Sequence, residues 1–78
     1  MKREELVKLF PPHRNPRAFE LAKIFWLILK NEPEEATLVI PEAYGKYSHR
    51  LIKETLRKMG YQSKTLKPEQ SFKVFRIR

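Results

Sequence analysis

Ser48-His49-Arg50-Leu51-Ile52-Lys53-Glu54-Thr55-Leu56-Arg57-Lys58-Met59-Gly60, followed by Tyr61-Gln62-Ser63-Lys64-Thr65-Leu66, is the stretch on which the fold turns. Ser48 is a good helix N-cap, because its hydroxyl can accept from a backbone N–H that the first turn leaves unpaired. Leu51, Ile52, Leu56 and Met59 then recur at helical spacing and form a core stripe. Gly60 stands where a left-handed C-cap residue belongs. The spacing therefore predicts a helix over 48–59. Two strands follow, Tyr61–Leu66 and Phe72–Arg78, joined by Lys67-Pro68-Glu69-Gln70-Ser71 as a hairpin loop. Alternation in the last strand is imperfect. Phe72 and Val74 share one face and Phe75 and Ile77 the other, which predicts a bulge or burial of both faces.

Upstream, Ala36–Ile40 is rich in branched residues and reads as a buried strand ended by Pro41, with a turn over 41–47 that contains Gly45. A second helix is expected over 16–31, with Asn15 as N-cap and Pro16 at its first position. Glu20, Lys23 and Lys30 occupy one narrow polar stripe, interrupted by Leu27, and Leu21, Ala22, Ile24, Phe25, Trp26, Ile28 and Leu29 cover most of the remaining girth. So apolar a helix is expected to be covered on more than one side, with Trp26 largely buried. Residues 2–10 read as a short helix with Leu6, Val7, Leu9 and Phe10 on its apolar side, stopped by Pro11 and Pro12. The expected fold is α+β, in the order helix-helix-strand-helix-strand-strand, with helices packed on a small three-stranded sheet. One domain is expected over 1–78: an N-terminal helix and Pro-Pro break over 1–12, then a core over 13–78.

Lys and Arg number 17 against 9 Asp and Glu, for a net charge of +8. The charge is unevenly placed: net +3 over 1–18, −2 over 19–47, +3 over 48–60 and +4 over 61–78. A charge selected only for solubility would be more evenly mixed. A basic excess on a small domain favours polyanion partners, because bound cations release the counterions condensed on a phosphate backbone. Cysteine and aspartate are absent, which excludes disulfides, thiolate metal sites and the familiar Ser/His/Asp and Cys/His catalytic sets. His13 and His49 each have a basic neighbour and read as surface residues. No enzyme, cofactor or metal is expected. The longest apolar run, Ile24 to Leu29, is far short of the roughly 20 residues that span a membrane. No secretory signal is visible, and a cytoplasmic setting is expected. The 33% charged fraction, with few Asn and Gln, points toward a thermophilic source.

The candidate binding surface is the basic C-terminal half. His49, Lys53 and Arg57 repeat every four residues and line one helix face, with Arg50, Glu54 and Lys58 in a neighbouring row. Cations at one-turn spacing can follow a phosphate backbone. Lys64, Lys67, Lys73 and Arg76 are expected to extend that face across the hairpin. Tyr44 and Tyr47, in the turn beside Lys46, are the expected stacking residues for unpaired bases, whereas Phe72 and Phe75 read at least equally as core.

From about Leu38 onward the chain resembles the small single-stranded nucleic-acid-binding domain named for its Arg-x-x-x-His signature. Leu38-Val39-Ile40-Pro41 matches the strand and proline that open it, Tyr47 its aromatic position, Gly60-Tyr61 its Gly-hydrophobic pair, and Ser63 a small polar residue after that pair. His49 stands where the family has arginine and Lys53 where it has histidine, so the spacing and cationic character are kept while both identities differ. The resemblance implies a small sheet with helices on one face, and binding of single-stranded DNA or RNA around His49 and Lys53. A winged helix is the competing reading, with 48–59 as recognition helix, 61–78 as wing and duplex DNA as ligand. It requires a further helix within residues 41–47, which hold Pro41 and Gly45. A third reading makes Phe25 and Trp26 the contact for a homodimer or a protein partner.

Overall fold

The computed structural model describes residues 2–41, 43, 45, 47–66 and 71–77. Along the chain run α1 (Arg3–Leu9), α2 (Pro16–Leu29), β1 (Glu35–Val39), α3 (His49–Lys58), β2 (Tyr61–Leu66) and β3 (Ser71–Arg76). The α+β class and the element order are those expected, and each boundary lies within two residues of its predicted place. The caps do what their residue types allow. Asn15 Oδ1 accepts from the Ala18 N–H at 3.1 Å, and Ser48 Oγ accepts from the Leu51 N–H at 3.2 Å. Gly60 has φ +91°, the left-handed conformation that ends α3, and its N–H donates to the Arg57 carbonyl at 3.0 Å.

The sheet order is β1-β3-β2, antiparallel throughout, with Leu38 opposite Phe72 on one side of β3 and Ser63 opposite Val74 on the other. The register is continuous over Ser71–Arg76, so no bulge interrupts β3. Because strand side chains alternate, Ala36, Leu38, Tyr61, Ser63, Phe72 and Val74 point to one face. There they meet α2 and α3 in a core that includes Leu21, Phe25, Ile52 and Leu56. The opposite face carries Glu35, Thr37, Val39, Gln62, Lys64, Lys73 and Phe75, and Val39, Phe75 and the following Ile77 are exposed. Neither expected explanation for the irregular last strand holds: its second apolar face meets solvent.

Helix α1 packs on α2 through the buried Leu6, and Phe10 joins the core. Cover on α2 is less complete than its composition predicted. Phe25 is 1% exposed, whereas Trp26 is only partly buried and Leu27 and Ile28 are 66% and 44% exposed. The expected burial of Trp26 is therefore corrected to partial burial against the core edge. Phe25 points inward and cannot serve a docking contact in the folded chain. No described helix is long and apolar enough to cross a membrane.

One core member is polar. Thr55 is 1% exposed on the inward face of α3, and its Oγ1 has no hydrogen-bond partner among the described residues. A buried unsatisfied hydroxyl costs stability that an isosteric methyl avoids. Thr55→Val is expected to raise stability by about 1 kcal/mol in denaturant unfolding. In the same assay Phe25→Ala is expected to cost about 3–5 kcal/mol. Leu27→Ala, which removes a solvent-facing side chain, should stay within about 0.5 kcal/mol of the parent.

Candidate nucleic-acid interface

Ile52, Thr55 and Leu56 are fully buried against the sheet, which turns the opposite side of α3 outward. His49, Arg50, Lys53, Glu54 and Arg57 are exposed on that side. Together with Tyr61, Gln62 and Ser63 of β2 they line an open cleft of about 630 Å³. The four-residue row read from the sequence is thus one wall of a real concavity. The other wall is an edge strand. Ile77 N–H donates to the Gly60 carbonyl at 2.9 Å, which sets the phase of the β2–β3 ladder so that Gln62 and Lys64 bond β3. The N–H and C=O groups of Ser63 and Thr65 therefore face the free edge of β2.

The cations of this region differ in what surrounds them. Arg50 Nε lies 3.1 Å from Glu54, an exposed i,i+4 pair. Lys53 and Arg57 form no ion pair among the described residues. The His49 ring stands edge-on to the buried Phe72, centroids 5.8 Å apart at 88°. On the β2 wall the Tyr61 hydroxyl donates to the Pro33 carbonyl at 2.8 Å. Burial pushes the Tyr61 phenol above its usual value, opposed by the nearby Arg76 guanidinium, so it remains a donor at neutral pH.

The hairpin cations do not continue the α3 row. Lys64 and Lys73 lie opposite each other on the outer sheet face, so the sheet stands between them and α3. Arg76 lies near the cleft but faces Glu32 at 3.5 Å and Glu34 at 3.9 Å, which compensate its charge locally. Tyr47 is also corrected. It is 9% exposed, too buried to serve as a base-stacking platform, and the Arg17 guanidinium lies 4.4 Å from its ring centroid. A Tyr47→Ala variant would report on packing and not on stacking. Tyr44 and Lys67 lie outside the described residues.

Reading the sequence missed Gln62 and Ser63, which line the cleft; their signal was the strand pairing beside the helix, not residue type. It missed Arg17 too, because nothing local ties the start of α2 to the residue before Ser48. Among the described residues no group of three or more His, Cys, Asp or Glu side chains is placed to hold a metal ion. No model of a known protein family, no curated protein and no solved structure matches the chain.

Proposed function

We propose that the chain binds single-stranded nucleic acid along the cleft between α3 and β2, without catalysing a reaction on it. The observation that carries this reading is the position of Lys53 and Arg57, cations without ion pairs among the described residues, one turn apart on the wall of a concave surface. Phosphates spaced along an extended strand can meet successive cations of such a row. Gln62, Ser63 and the free backbone groups of the β2 edge add neutral donors and acceptors for bases or sugars. Arg50 contributes charge at the cost of its exposed pair with Glu54, a small cost because such pairs are worth little.

The second reading, a winged-helix binder of duplex DNA, is favoured by one observation: the hairpin that follows α3 places β3 between β1 and β2. Two features weigh against it. No α-helix lies between β1 and α3 among the described residues. A recognition helix must also enter a groove about 12 Å wide, so its reading face has to stand clear of its own domain. The cations of α3 instead share a concavity with β2.

Titration of matched single-stranded DNA, duplex DNA and single-stranded RNA at two salt concentrations tests the proposal. Single strands are expected to bind more tightly than duplex, with affinity falling as salt rises by roughly 0.7 logarithmic units per phosphate contact for each decade of salt. The double reversal Lys53→Glu, Arg57→Glu should weaken binding at least tenfold and flatten the salt slope, while leaving the unfolding midpoint nearly unchanged. The control reversal Lys23→Glu, Lys30→Glu on α2 should do much less. Absence of binding to any nucleic acid at low salt, or equal damage from both reversals, would remove the proposal.

A further inference from the structure

β3 shows an aromatic side chain to solvent without any role in the cleft. Phe75 is 38% exposed at the centre of the outer sheet face, between Glu35 of β1 and Gln62 of β2. One position away, Lys73 stands opposite Lys64, a like-charge cross-strand pair that costs stability wherever nothing neutralises it. The Lys73 ammonium lies 5.6 Å from the Phe75 ring centroid and 3.9 Å from Glu35. Lys64 forms no ion pair among the described residues. No described helix packs on this face, since α2 and α3 both lie on the other.

We infer that the outer face of the sheet is a second contact surface for the same single strand, with Phe75 stacking one base and Lys64 and Lys73 holding the adjoining phosphate. The inference rests on the proposed function and extends it to a surface that the cleft does not include. Three features of the face favour this occupant over a protein partner. A strand's phosphate can pair with Lys64 and displace the weak, exposed contact of Lys73 with Glu35, whereas an apolar protein surface would bury both cations at a cost. Every base has a π-face, so a single exposed aromatic ring is enough to accept one. Gln62 provides the connection: it belongs to the outer face by its place in the strand, beside Phe75, and it also lines the cleft. A strand leaving the α3 row can therefore cross the free edge of β2 at Gln62 and arrive at Phe75. Gln62 can offer its amide to a base edge there.

The test uses the full chain and fluorescein-labelled oligothymidylate of about 16 nucleotides, the upper end of the site sizes of small single-strand binders. Phe75→Ala should weaken binding by about 5- to 150-fold, and Phe75→Tyr should restore it, because tyrosine keeps the ring. Lys64→Ala should flatten the salt dependence. Binding to a matched duplex, which has no splayed base, should respond to neither. Circular dichroism and thermal unfolding on each variant separate loss of contact from loss of fold. Photo-cross-linking of an oligonucleotide carrying 5-iodouracil, mapped by mass spectrometry, should find Phe75 or a residue next to it. Unchanged affinity in folded Phe75→Ala, while Lys53→Glu, Arg57→Glu still weakens binding, would overturn this inference and leave the cleft reading intact. A parent chain that binds no single strand would remove both.

Discussion

Phe72 and Val74, wholly inaccessible on the inward face of β3, are the side chains on which the rest of the structure depends. Among the described residues β3 is the only strand with a neighbour on both sides, so β1 and β2 join the sheet through it. Both helices that complete the core, α2 with Phe25 and α3 with Ile52 and Leu56, rest on the face these two residues define. A one-residue slip of β3 would send Phe72 and Val74 into water and bring Lys73 and Phe75 inside. The buried pair thus fixes the register, and the register decides which residues of the hairpin a partner can reach.

That constraint also organises the charge. A net charge of +8 on a small chain suggests one large basic patch, and the sheet prevents it. Lys53 and Arg57 face the cleft, Lys64 and Lys73 face the other way, and Arg76 is held between Glu32 and Glu34. Several cations thus have acidic partners: Lys23 with Glu20, Arg50 with Glu54, Lys73 with Glu35. These pairs are all solvent-exposed and add little to stability, but they leave different cations free to meet a polyanion. Which lysine matters is a question of place more than of number.

Much of this was legible in local sequence. Ser48 and Gly60 bracket α3, Asn15 and Pro16 open α2, and the proline pair ends α1, because caps and breakers act over three or four residues. Thr55 was not legible as core, since a hydroxyl at a helical core position reads as surface; only packing density brings it inside. The split of the hairpin cations was present in the strand period. If Phe72 and Val74 face the core, Lys73 between them cannot. The sequence reading treated the hairpin as a continuation of the helix surface and lost that distinction. Tyr47 and Arg17 belong to another category, for their contact joins residues far apart in the chain and carries no local signature. The exposure of Ile28 is the reverse case: the apolar girth of α2 predicts its burial, and the two helices and the sheet together do not reach around α2.

The central position of β3 also bears on how the chain reaches its native state. β3, with which both β1 and β2 pair, is the last of the described elements in chain order. Until β3 is in place, β1 lacks the strand it pairs with, and α2 has α1 and α3 but no sheet to complete its cover. The pairing of Leu38 with Phe72 then closes a loop that contains all of α3 and β2, an entropic cost paid before the contact returns anything. Early assembly of α3, β2 and β3 through their short connections, with later capture of β1 and α2 onto that half, is the order that these closure costs predict.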